Sequence, residues 1–186
     1  MLGYCAVEDI ENYILTEIDV AFESEVEEWI EAMENYINKE TGRVFIADAN
    51  VSVRKFDGDG DPYILIDDCV AITKVEIDDE ENTDYLTYPA NSLPITMLKL
   101  DDDKFSRGNQ NVEVTAKWGY SVNVPADIKL ATVILVAGII YRSLSQEGEV
   151  QSISMGRYSV TYKTEKQWDD FETVKKTLDK YTRFNP

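Results

Sequence analysis

Between Val124 and Leu144 the chain reads Val-Pro-Ala-Asp-Ile-Lys-Leu-Ala-Thr-Val-Ile-Leu-Val-Ala-Gly-Ile-Ile-Tyr-Arg-Ser-Leu, and no other stretch constrains the fold as much. Pro125 stands where a missing backbone N–H costs nothing, and Asp127 falls in the first turn, where a carboxylate favours the positive end of the helix dipole. A helix therefore begins here. From Leu130 to Tyr141 only Thr132 interrupts apolar or small residues, so the helix is apolar nearly all round and has to be covered on most sides. A membrane span needs roughly 18 or more consecutive apolar residues, and the run stops at Arg142, well short of that. The expectation is a buried core helix over about 125–144 with the rest of the domain built around it.

Two helices are predicted ahead of it. Val7, Ile10, Ile14 and Leu15 recur at helical spacing behind the acidic Glu8, Asp9 and Glu11. Ser24, with Glu27 three residues later, forms a capping-box pattern; Val26, Trp29, Ile30, Met33 and Ile37 then mark one face until Thr41-Gly42 ends the helix. From Arg43 the pattern changes to short β-prone runs at 51–56, 63–66, 70–77, 86–88, 97–100 and 112–118. In the last of these Val112, Val114 and Ala116 alternate with Glu113, Thr115 and Lys117, as in a half-buried strand. The turns Asp57-Gly58-Asp59-Gly60-Asp61-Pro62 and Arg107-Gly108-Asn109 read as hairpin connections between antiparallel strands.

After the core helix, Glu147-Gly148 opens a loop, and Ser152 to Lys163 reads as an extended arm with a turn at Met155-Gly156-Arg157. Gln167 to Tyr181 closes the chain as a helix carrying Trp168, Phe171, Val174 or Lys175, and Leu178 on one side. The fold class is α+β: a helical bundle around the buried core helix with an inserted set of antiparallel β-hairpins. All 186 residues are assigned to one domain, with acidic N-terminal helices (1–42), a β-rich insertion (43–120), the core helix (124–145), the arm (150–163) and a C-terminal helix and tail (167–186).

Charge and composition exclude several functions. The net charge of -18 opposes any sequence-independent grip on nucleic acid, which needs lysine and arginine against the phosphates. Acidity of this kind also keeps a surface soluble, so alone it names no function. The excess is localised: residues 1–40 hold twelve acidic side chains against Lys39 alone, whereas the stretch from Lys163 onward is nearly balanced. With no histidine, the chain lacks the commonest general base and the favoured transition-metal ligand. Cys5 and Cys69 are too few for a disulfide framework, which points to synthesis in a reducing cytoplasm.

Two carboxylate sets invite a metal reading. Asp57, Asp59 and Asp61 imitate the first ligands of an EF-hand loop, but position 6 is Pro62 where glycine is required and position 12 is Asp68 where a bidentate glutamate belongs. A hairpin turn explains that run better than a calcium-dependent binding module does. Asp57, Asp101, Asp102, Asp103, Glu113 and Lys117 are the residues from which a carboxylate-metal hydrolase would be assembled, yet Asp101-Asp102-Asp103-Lys104 reads more simply as a solvated turn. Neither a phosphate loop nor a nucleophile elbow is present, and no cofactor is called for.

Taken in order, several pieces resemble the head-tail connector, or adaptor, proteins of tailed bacteriophages. The opening Tyr4-Cys5-Ala6-Val7-Glu8-Asp9-Ile10 and the acidic helix to Thr41-Gly42-Arg43 are similar to that family's first helices. Phe56-Asp57-Gly58-Asp59-Gly60, Leu65-Ile66-Asp67-Asp68 and Ile72-Thr73-Lys74-Val75-Glu76-Ile77 resemble its hairpin. Val124-Pro125-Ala126-Asp127-Ile128-Lys129-Leu130-Ala131 resembles the start of its long helix, and Gly156-Arg157-Tyr158-Ser159-Val160-Thr161-Tyr162 with Tyr181-Thr182-Arg183-Phe184 resembles its end. The section from Tyr85 to Arg107 is longer than the resemblance leads one to expect and reads as an embellishment.

The resemblance implies a non-enzymatic virion protein, made in the host bacterial cytoplasm, that assembles as a homo-oligomeric ring of twelve beneath the portal protein. It would extend the DNA channel, repel DNA from its acidic walls and receive a tail-side stopper or tail-completion protein. Trp168, Phe171, Lys175, Lys176, Lys180, Arg183 and Phe184 are the candidate portal-binding residues, because aromatic and basic side chains dominate interface energy and steering. The plainer alternative is that Trp168 and Phe171 pack on the core helix while the lysines stay solvated.

Overall fold

The structure, a computed structural model, describes residues 3–143, 151–155, 158–162 and 165–183, with side chains over 3–143 and 171–183. In chain order its elements are α1 (Val7–Ile14), α2 (Val20–Thr41), β1 (Ser52–Gly58), β2 (Tyr63–Ile77), β3 (Glu80–Glu81), β4 (Tyr85–Tyr88), β5 (Ile95–Leu100), β6 (Gly108–Trp118), α3 (Ala126–Ser143), β7 (Gln151–Met155), β8 (Tyr158–Tyr162) and α4 (Glu165–Tyr181). The class is α+β, and the chain divides into two compact units, Met1–Arg43 with Val124–Pro186, and Val44–Asn123. The loop at Glu147-Gly148, the turn residues Gly156-Arg157, the side chain of Trp168 and the whole of Phe184 lie outside the described residues.

In the first unit, α3 carries an unbroken buried run from Ala131 to Ile140 and packs against α1, α2 and α4. Continuous burial follows from a sequence with no polar stripe to turn toward water. Thr132 Oγ1, the polar exception, donates to Ile128 O at 3.0 Å within its own helix, so no polar group is left unsatisfied there. Leu130, at the start of the run, stays 46% exposed. Val26, Ile30, Met33 and Ile37 form the buried stripe of α2, and Gly42 ends that helix in the left-handed conformation at φ 66°.

The start of α2 differs from the capping-box expectation. The helix begins at Val20, so Ser24 lies inside it; the cap is Asp19, whose Oδ1 accepts Ala21 N–H at 2.9 Å. A carboxylate that reaches an orphan amide one turn earlier, ahead of residues that do not break a helix, sets the start before the serine is reached. The extended arm resolves into an antiparallel pair, β7 with β8, in register from Gln151↔Tyr162 to Met155↔Tyr158.

The second unit is one antiparallel sheet in the order β1-β6-β2-β5-β4, with β3 paired to the end of β2. Its core gathers Ile64, Ile66, Val75, Leu98, Leu100, Phe105, Val112, Val114, Ala116 and Trp118. The alternation foreseen for 112–118 holds, with Val112, Val114, Ala116 and Trp118 buried and the residues between them partly exposed. The two runs 63–66 and 70–77 are a single 15-residue strand, β2, whose first half pairs with β5 and whose second half pairs with β6. A register shift between Leu65 and Cys69 lets it change partners, which is what a bulge does to a strand.

This arrangement corrects the reading of both turns as hairpins. Asp57–Pro62 joins β1, a neighbour of β6, to the half of β2 that neighbours β5, and the segment holding Arg107-Gly108-Asn109 leads from β5 to β6, which are not adjacent. Turn residues show that a chain reverses or bends; they do not state which strands it connects. The 85–107 section supplies β4 and β5 and buries Leu98, Leu100 and Phe105 in the core. The segments entering and leaving the sheet are tied together: Tyr120 N–H donates to Val44 O at 2.8 Å and Asp48 N–H to Trp118 O at 2.7 Å. At Gly119, φ is 134° and an added Cβ would sit 2.4 Å from Ala47 Cα, so the close approach requires glycine.

Candidate functional site

The candidate contact residues sit on α4, which the sequence makes amphipathic: Val174 and Leu178 are buried, while Lys175 and Lys176 are exposed. Phe171 is half-buried on the inward side, so part of the predicted aromatic surface serves the interior of the unit.

The far end of α4 is fastened at three points. Arg43 Nε donates to Tyr181 O at 2.7 Å, and Arg183 N–H donates to Thr41 O at 2.8 Å, joining the ends of α2 and α4. Asp127, the lone carboxylate of α3, accepts from Lys180 Nζ at 3.0 Å and from Tyr181 Oη at 3.0 and 3.1 Å. Burial would push the Asp127 carboxyl up, but the hydrogen bonds from Lys180 and Tyr181 and the lysine's charge hold it below the ordinary carboxylate range. Lys180 also lies 4.6 Å over the Tyr181 ring.

Lys180, though still exposed, thus helps to close this unit through Asp127, and Arg183 does so through its backbone N–H; among the described residues of the helix Lys175 and Lys176 are exposed as well. Sequence reasoning assigned Asp127 to the helix dipole and missed its link to α4. The available signal was that α3 has one carboxylate near its start and α4 a lysine and a tyrosine side by side at its end.

The carboxylates weighed for metal chemistry are dispersed among other tasks. Asp57 Oδ1 accepts Gln110 N–H of β6 at 2.6 Å, and Asp59 Oδ1 accepts Asp61 N–H at 3.0 Å inside the turn. Glu113 is paired with Lys55 across β1 and β6, and Asp101, Asp102 and Asp103 are exposed beyond β5. Lys117 is half-buried in β6. Among the described residues, no group of three or more His, Cys, Asp or Glu side chains could hold a metal ion.

An open cleft of ≈ 570 Å³ lies in the first unit between the N-terminal segment and α2, with Ile30 and Cys5 among apolar walls and Glu27, Glu31 and Glu34 along one side. Burial pushes the Glu34 carboxyl up, although it accepts Tyr4 N–H, and the charge of Glu31 adds to the shift. Across the cleft Lys129 pairs with Asp9 at 2.7 Å. The thiol of Cys5 is pushed up to about 12, mainly by burial, and is an inert proton-bearing group. None of the helices among the described residues is long and apolar enough to cross a membrane.

No family model matches the chain. No curated protein matches it either. Solved structures do. A chain of "Neck of native GTA particle computed with C12 symmetry" is 13% identical, with a TM-score of 0.49 over 97% of this chain and 89% of that one. A chain of "Neck of empty GTA particle computed with C6 symmetry" is also 13% identical, with a TM-score of 0.61 over 97% of this chain and 90% of that one. The protein described here therefore shares its fold, over nearly its whole length, with a chain from that second structure.

Proposed function

We propose that the chain is a structural subunit of the head-tail neck of a tailed-phage-like particle, a connector that forms a ring under the portal, extends the DNA channel and receives the tail. The observation that carries this reading is the fold likeness, across 97% of the chain, to a chain in the neck of a GTA, or gene transfer agent, particle. The C6 symmetry of that neck supports a homo-oligomeric ring, and the phage resemblance of the sequence implies twelve copies. The reading is non-enzymatic and places the protein in the virion.

The charge suits such a channel. Carboxylates facing DNA repel phosphates, so the nucleic acid slides without sticking, and a net charge of -18 opposes a grip on it. Portal contact is proposed for the closing helix and tail through Lys175 and Lys176, together with Trp168, Phe171, Lys180, Arg183 and Phe184. Mixing the purified chain with the portal protein of the same particle and imaging by negative stain tests the function: rings on the portal are expected, and a chain that stays monomeric and unbound overturns the reading. Lys175→Glu with Lys176→Glu, at exposed positions, should leave circular dichroism and melting intact and abolish co-sedimentation with the portal. Retained binding moves the contact elsewhere.

A further inference from the structure

The outward face of the sheet is divided into two halves of opposite character. Over β1, β6 and the end of β2 it is mainly polar, with Val53 the exposed apolar exception opposite Thr115: Lys55 pairs with Glu113, Lys74 with Glu76 at 2.7 Å, and Thr73 Oγ1 donates to Thr115 O at 3.0 Å. That is the expected surface of a sheet with one solvated side. Over the start of β2, β5 and β4 the pattern fails. The registers Tyr63↔Lys99↔Leu86 and Leu65↔Met97↔Tyr88 set two cross-strand rows on one face, opposite the buried Ile64, Ile66, Leu98 and Leu100. Tyr63 is 49%, Leu65 55% and Leu86 45% exposed. Five apolar or aromatic side chains around one lysine thus form a contiguous surface.

The charges bordering this face say what fits it. Tyr63 begins β2, Tyr85 begins β4 and Leu100 ends β5, so the loops at that end of the patch carry Asp59, Asp61, Asp84, Asp101, Asp102 and Asp103, all exposed, which outnumber the exposed Lys104 and Arg107 of the same loops. Phe105 N–H to Asp61 O at 2.9 Å and Leu100 N–H to Pro62 O at 2.8 Å hold two of these loops side by side. Such a rim repels phosphate backbones, anionic lipid and the same face of a second copy, and it attracts lysine and arginine. Tyrosine and large apolar side chains encircled by charge are the makings of a protein interface.

We propose that the outward face of β2, β5 and β4, centred on Leu65, Leu86 and Met97, docks another protein of the particle that presents an apolar patch bordered by lysine and arginine. This rests on the neck reading and names a surface for one of the neck's other components.

Oxidative labelling of Met97, Tyr63 and Tyr88 tests it, comparing the isolated chain with purified particles. The core of a protein interface excludes water, so modification of these side chains should be slower in particles. Zero-length carboxylate-to-amine cross-linking in the same particles should join Asp101, Asp102 or Asp103 to lysines of a different protein. The variant Leu65→Arg with Leu86→Arg should keep its circular dichroism and melting and bind that purified protein at least roughly tenfold more weakly, as loss of a contact centre does. Should it fail to fold, Leu65→Ser with Leu86→Ser replaces it. Labelling unchanged in particles, cross-links confined to copies of this chain, or undiminished binding by the folded variant overturns the proposal and leaves the neck reading standing. A chain absent from purified particles overturns both.

Discussion

Asp127 and Glu34 are carboxylates on the same unit with opposite responses to pH. Asp127 titrates below its ordinary value because Lys180 and Tyr181 hold its charge, so its contribution is complete above the unfolded pKa and is lost as pH falls through the still lower folded one. Wild-type protein should therefore lose stability on acidification below about pH 4, and Asp127→Asn should flatten that part of the curve, as melting temperature against pH will reveal. Glu34 titrates above its ordinary value because burial opposes its charge, so its stabilising share is present below the unfolded pKa and disappears as pH rises through the folded one. Glu34→Gln keeps an acceptor for Tyr4 N–H without the charge and should raise Tm at pH 7. A lower Tm at neutral pH would show that the carboxylate is worth more to Tyr4 than its burial costs. Neither sign was legible in the sequence, because each depends on partners 30 to 54 positions away along the chain.

Among the elements, the helices were the most legible because their signals are local. The face of α2, its end at Gly42 and the extent of α3 were all readable from spacing and from glycine and proline chemistry. The start of α2 was not, since Asp19 and Ser24 are both good caps and only the backbone path shows which one is used. Asp19→Ala should cost about 1 kcal/mol in chemical denaturation, and Ser24→Ala, at an exposed interior position, should be near neutral. Equal costs would return the cap to Ser24. For α3 the test is harsher: Ile134 is 4% exposed, so Ile134→Asp buries an unpaired carboxylate and should give insoluble or unfolded protein. A soluble variant that melts cooperatively would mean that this side of α3 is open to water.

For the molecule as a whole, net charge governs association. Residues 1–40 hold twelve acidic side chains against Lys39 alone, and repeating that segment around a ring brings like charges together. Isolated chains should therefore be mainly monomeric at low salt and should assemble more readily at high salt, where the screening length falls to a few Å at about 1 M. Sedimentation velocity across a salt series checks this, and a stable ring at low salt and micromolar concentration would contradict it. The candidate contact surface was legible to the extent that α4 is a helix whose basic residues cluster. That the exposed Lys180 and the partly buried Tyr181 both reach Asp127, while Lys175 and Lys176 are exposed, was not.

By itself the sequence determined the α+β class, the buried helix α3, the helical faces and the sign of the net charge. Each of these follows from side-chain spacing within a few turns of chain or from composition, and neither depends on which distant segment lies alongside. Tertiary structure alone decided the strand order β1-β6-β2-β5-β4, the change of partner within β2 and the fastening of α4 through Asp127. It also decided which half of the sheet turns leucine and tyrosine to water. Strand pairing joins residues up to tens of positions apart by backbone hydrogen bonds that every residue type except proline can make, so local pattern cannot choose among the pairings. The choice falls to whichever arrangement buries Trp118, Leu98, Leu100 and Phe105 together, and that is a property of the folded whole.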